Sequence, residues 1–170
     1  MIEAEKKLSE LESKLNSRNK RVVTDSISLL RNEYPFKGAA GLLISLFNTT
    51  NDLIIKDLIR NFMNDIKEPE VRFEIVKEMM KNYKPETITM LVSSCWQSGL
   101  DYSEFAVDLA EIFIRGDYLT SLECFTVIEE SYPNIPDLKR IEIIRLLEEN
   151  ENKHSDEKNS LLQALLNVLR

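Results

Sequence analysis

Histidine and tryptophan each occur once in this chain, cysteine twice, glycine four times and proline five times in 170 residues. Two cysteines and one histidine cannot supply a disulfide framework or a four-ligand zinc site. So little glycine and proline excludes a collagen-like chain and argues against both disorder and a turn-dense β-sandwich. No apolar run approaches the roughly 20 residues needed to cross a bilayer. The opening Met1-Ile2-Glu3-Ala4-Glu5-Lys6-Lys7 is too charged for a signal peptide. No glycine-rich phosphate-binding loop is present. These shortages point to a protein of the reducing cytoplasm, with no catalytic residues, cofactor or metal assignable from its motifs.

Basic clusters are missing as well. The net charge is −7, and residues 98–131 carry all of it. That span holds eight acids, Asp101, Glu104, Asp108, Glu111, Asp117, Glu123, Glu129 and Glu130, against the single base Arg115. The remaining 21 acids and 21 bases cancel. A phosphate-binding protein needs a basic stripe, so nucleic acid and anionic membranes are poor partners. A partner with a basic surface fits better.

What the sequence does have is helical periodicity almost end to end. It predicts about ten helices, over 2–18, 22–33, 36–48, 52–66, 69–83, 86–97, 102–115, 118–131, 136–149 and 156–169. Pro35, Pro69, Pro85 and Pro136 stand where helices begin, a place that tolerates the missing N–H. Asp101, Ser103 and Ser155 are candidate N-caps, and Gly99 and Gly116 fall at breaks. Alternate helices carry apolar residues at i, i+1 and i+4: Leu42/Leu43/Leu46, Ile75/Val76/Met79, Leu109/Ala110/Phe113 and Ile143/Ile144/Leu147. The helices between them repeat Leu58/Ile59/Phe62, Leu91/Val92/Cys95, Cys124/Phe125/Ile128 and, after a polar insertion, Leu161/Leu162/Leu165. A spacing of about 33–34 residues held over several units is how stacked helical hairpins look. The expected fold is all-α, a right-handed α-α superhelix of stacked hairpins. Residues 1–170 form one solenoid domain: 1–19 an N-terminal helix, 20–149 the hairpin repeats and 150–170 a C-terminal capping helix.

One linker goes further. Asp65-Ile66-Lys67-Glu68-Pro69-Glu70-Val71-Arg72, followed by Ile75, Val76 and Met79, resembles the inter-helix segment of HEAT repeats. The resemblance implies that Asp65 and Arg72 form a hydrogen-bonding ladder that aligns successive repeats. Only this repeat carries the full signature. The equivalent positions hold Phe105-Ala106 and Lys139-Arg140, and the period is shorter than the ~40–47 residues usual in that family. The tetratricopeptide pattern is absent.

In the first helix, Ala4, Leu8, Leu11 and Leu15 form a narrow heptad-like seam. It serves either to cap the solenoid or to form a homodimer. His154 lies in the polar run 148–157 and reads as a solvated loop residue. Cys95 and Cys124 share the apolar register and read as buried structural thiols. Gly38-Ala39-Ala40-Gly41 reads as a stretch that permits close helix packing.

The acidic segment carries the functional expectation. Asp101, Glu104, Asp108 and Glu111 recur at 3, 4 and 3 residues, which places them on one helix face, with Phe105, Leu109 and Ile112 on another. A helix face alone gives a carboxylate pair neither a cleft nor a raised pKa, so glycosidase chemistry is disfavoured. If the HEAT register applies, the third, fifth, seventh and ninth helices line the concave side, as in that family. The ridge then faces inward, flanked by Lys77, Lys81 and Arg140. The expectation is a non-enzymatic scaffold or adaptor binding a basic peptide or protein through Asp101, Tyr102, Glu104, Asp108 and Glu111, with Tyr102 and Trp96 as anchors. The rival comes from HEAT-like DNA alkylation-repair enzymes, which use a basic groove, aromatic residues and a catalytic Asp. Asp101 beside Trp96 and Tyr102 resembles that arrangement, but the groove here is the most acidic part of the chain.

Overall fold

The apolar triplets fix which way each helix faces. In the computed structural model, which describes residues 2–32 and 36–170, every member of those triplets is buried or half-buried. Ten α-helices are described: α1 (Ile2–Leu15), α2 (Lys20–Asn32), α3 (Ala39–Thr49), α4 (Leu53–Asp65), α5 (Val71–Met79), α6 (Pro85–Ser98), α7 (Ala106–Arg115), α8 (Tyr118–Ser131), α9 (Asp137–Glu148) and α10 (Asp156–Leu169). Two short 3-10 turns, Ser103–Phe105 and Tyr132–Asn134, precede α7 and α9. The described residues contain no strand.

Local chemistry sets the ends. Asp52 Oδ1 accepts from the amides of Ile54 and Ile55, Asp117 from Thr120 and Ser155 from Lys158, satisfying N–H groups that a helix start leaves open. Of the N-caps expected from sequence, Ser155 caps α10. Asp101 caps the 3-10 turn through the Ser103 amide, and Ser103 is the first residue of that turn. Pro85 opens α6 and Pro136 immediately precedes α9. Pro69 stands two residues ahead of α5, and Pro35 lies outside the described residues.

The chain divides into two compact units, Met1–Thr87 and Ile88–Arg170. In the first, α1 packs on α2 and α3, α2 on α4, and α3 on both α4 and α5. In the second, α7 packs on α8 and α9, α8 on α10, and α9 on α10. Helices two apart in sequence therefore lie side by side within each unit, an arrangement compatible with a helical repeat. Hydrogen bonds also span about one period. Arg31 pairs with Asp65, 34 residues on, Gly41 N donates to Glu74 Oε1, 33 residues on, and Asn134 Nδ2 donates to Asp101 Oδ2 across 33. Asp65 thus reaches back to the preceding repeat, while Arg72 Nε donates to the Pro69 carbonyl at 2.9 Å.

Leu11 and Leu15 of the α1 seam are buried within their own unit. Gly38, at φ +92°, leaves room for Leu8, whose Cδ1 would lie 3.0 Å from an added Cβ. Of the rest of the seam, Leu8 is half-buried and Ala4 is exposed. The Gly38–Gly41 stretch lies close to its neighbouring helices, and its amides also take part in the packing. Glu74 Oε2 accepts from Gly38 N at 3.1 Å and Oε1 from Gly41 N at 2.8 Å, so a carboxylate from α5 seats on the N-terminus of α3.

Candidate functional site

The acidic residues sit on one helix and the turn that leads into it. Tyr102 precedes the 3-10 turn, and α7 follows without a break. α7 buries Ala106, Leu109, Ala110, Ile112 and Phe113. That core side turns Glu104 and Glu111 to solvent and leaves Asp108 half-buried. Asp101 is exposed but held: Oδ1 accepts from Ser103 N at 2.8 Å and Oδ2 from Asn134 Nδ2 at 3.0 Å. Lys139 of α9 donates to the Glu104 carbonyl, tying α9 to the start of the ridge. Asp108 and Glu111 therefore share the outer side of α7, while Asp101 and Glu104 belong to the turn that leads into it.

Tyr102 is not part of that surface. Its side chain is only 1% exposed. The ring stands 6.1 Å from that of Phe105 at 53°, and Tyr102 hydrogen-bonds the Cys95 thiol. The expected anchor is a core residue, because the chain enters α7 through a 3-10 turn. With three residues per turn, the 3.6-residue phase cannot be extended back past Phe105. Trp96 is 37% exposed, and its Nε1 donates to Glu123 Oε2 at 2.7 Å.

The neighbouring helix α9 carries exposed apolar residues outside the expected site. α9 buries Ile143 and Leu147, yet Leu138 is 81% exposed and Ile141 is exposed as well. Both fall off the repeat register of Ile143/Ile144/Leu147, and that misfit was the available signal. Of the cations expected to flank the ridge, Lys81, two residues past the end of α5, pairs with Glu78 of that helix. Arg140 pairs with Asp137 and donates to the Tyr132 hydroxyl.

Cys95 and Cys124 are fully buried. Burial pushes the Cys95 thiol up to about 12, partly offset by the hydrogen bond from Tyr102, and pushes Cys124 well above its usual range. Both stay protonated and inert near neutral pH. Among the described residues, no group of three or more His, Cys, Asp or Glu side chains could hold a metal ion, and no helix is long and apolar enough to cross a membrane.

His154 departs from the solvated loop residue expected. It is half-buried, and its Nε2 has no hydrogen-bond partner among the described residues, as is true of Asn159 Oδ1. The Asn159 amide holds the His154 carbonyl at 2.9 Å, folding the turn back onto α10. Burial, aided by Lys158 and Lys153, pushes the imidazole below its ordinary value of 6.5.

No protein-family model matches the chain, and no curated protein matches it. Function must therefore be argued from the surface itself.

Proposed function

We propose that the chain is a non-enzymatic, cytoplasmic protein-binding scaffold built from HEAT-like repeats, whose α7 ridge takes a basic peptide or protein. One observation carries this reading: Glu104, in the turn that leads into α7, and Glu111 of α7 are exposed, with the half-buried Asp108 between them in sequence, while Leu138 and Ile141 are exposed on neighbouring α9. The carboxylates supply long-range attraction and orientation, and the apolar pair supplies the desolvated contact that affinity requires. Asp101 orients the turn rather than offering a free carboxylate. The DNA-repair reading has less to rest on. Tyr102 is withdrawn into the core, both Asp101 oxygens accept hydrogen bonds, and a duplex would meet the acids of 98–131.

Charge reversal tests it. Glu104→Lys with Asp108→Lys should weaken binding of a lysine-rich peptide by about tenfold or more at low salt, an effect of about 1.4 kcal/mol or more. Glu3→Lys with Glu5→Lys on α1 changes the net charge by the same amount and should leave most of the binding intact. Equal losses from the two double variants, measured by titration calorimetry, would show that only net charge matters.

A further inference from the structure

A second set of apolar residues lies off the repeat register, on α8. This helix buries Thr120, Ser121, Cys124, Val127 and Ile128. Tyr118, Leu119 and Leu122 are nevertheless exposed, Leu119 at 62%. Their i, i+1, i+4 spacing puts them together on the side facing away from that core. Two side-chain hydrogen bonds tie α6 to this helix. The hydroxyls of Thr89 and Thr120 are 2.8 Å apart, and the bond from Trp96 to Glu123 pins the indole against α8. Glu123 is one helical turn from Leu119, so Trp96 continues the strip onto a second helix. Single exposed apolar residues are ordinary. Four on adjoining helices, with Trp and Tyr among them, have the composition of an interface centre.

Charge selects the occupant. Between Lys84 and Lys139 the sequence holds one base, Arg115, at the end of α7. Neither α6 nor α8 contains a lysine or arginine, whereas α8 carries Glu123, Glu129 and Glu130 and is capped by Asp117. A second copy docked through the same strip about a two-fold axis would set these acids against their own counterparts. An anionic membrane surface would be repelled. We infer that the α6–α8 strip docks an amphipathic helix of another protein. Its apolar face packs on Trp96, Tyr118, Leu119 and Leu122, and its flanking lysines or arginines meet Glu123, Glu129 and Glu130. The inference rests on the functional reading only for the basic character of the partner, since the ridge is on α7 and the strip on α6 and α8.

Trp96 is the chain's only tryptophan, so intrinsic fluorescence reports on the strip. The probe is a tryptophan-free synthetic amphipathic helix of leucine and lysine, titrated into the full chain. Emission should shift to the blue and saturate as the indole is desolvated. Leu119→Ser with Leu122→Ser should weaken binding by about tenfold, and Tyr118→Ser should act in the same direction. Glu104→Lys with Asp108→Lys should leave the affinity read from the Trp96 emission within about twofold, because that emission reports the strip and not the ridge. An unshifted emission, wild-type affinity in the strip variants, or equal binding of a peptide with glutamate in place of lysine overturns the inference. Self-association in sedimentation that the strip variants abolish also overturns it, by giving the strip to a second copy. Loss of binding in the ridge variant alone would overturn the strip and leave the functional reading standing.

Discussion

Tyr102→Ala is expected to lower stability by about 3–5 kcal/mol, the range for deleting a large buried aromatic side chain. The ring is 1% exposed and packs with Phe105, and the hydroxyl reaches the Cys95 thiol. Tyr102→Phe keeps the ring and should cost only about 1 kcal/mol, the usual worth of one hydrogen bond. Trp96→Ala removes a ring that is 37% exposed together with its bond to Glu123, and should cost less than Tyr102→Ala, about 1–2 kcal/mol. Urea unfolding followed by far-UV circular dichroism separates the three. A Tyr102→Ala protein of wild-type stability that had lost partner binding would return this residue to the surface role its position in the sequence suggested.

The misplacement of Tyr102 marks where the sequence stops being readable. Residues 106–115 form a regular helix, so Leu109, Ala110 and Phe113 are placed correctly by periodicity alone, and Asp108 and Glu111 stay off the buried side. Upstream, the 3-10 turn changes the phase, and no residue in Ser103-Glu104-Phe105 announces it. The seven other triplets also lie on the inner side of their helices, because a packed repeat must bury the same face each time. Residues outside that register were harder. Leu138, Ile141, Leu119 and Leu122 count as apolar in any composition, and only their phase reveals that they are not core. His154 was misread for a different reason: a turn that folds back onto a helix leaves no periodic trace.

Lys158 was legible in principle, and it carries the second large effect. Lys158, Leu162, Leu165 and Leu169 follow a 4, 3, 4 spacing, which puts the lysine on the buried stripe of α10. It is 6% exposed, and its Nζ donates to the carbonyls of Ile114 and Gly116, each at 2.6 Å. These carbonyls belong to the last turn of α7 and its C-cap, where acceptors are left open and the helix dipole favours a cation. Gly116 is needed there: an added Cβ would lie 2.9 Å from the Ile112 carbonyl oxygen and from Thr120 Cβ. One ammonium group therefore fastens α10 to the α7–α8 turn. Burial pushes its pKa below the usual lysine value, so holding the charge is itself unfavourable and the two carbonyls must offset it. Lys158→Met keeps the aliphatic stem and removes both bonds. Each charge-assisted bond is worth about 1.5–3 kcal/mol, and relief of the buried charge returns part of that. A net loss of about 2–3 kcal/mol is expected, or roughly 5–10 °C in the thermal midpoint. A Lys158→Met protein as stable as wild type would mean that the carbonyls find other donors.

Tyr102 and Lys158 hold the frame of the acidic side in place; the binding surface itself is tested most directly by mapping backbone amide shifts of the isotope-labelled protein during titration with a lysine-rich peptide at low salt. The largest changes should cluster at Glu104, at Asp108 and Glu111 of α7 and at Leu138 and Ile141 of α9, with Glu3, Glu5 and Glu10 of α1 little affected. Changes of equal size at exposed carboxylates throughout the chain, or confined to α1, would contradict it.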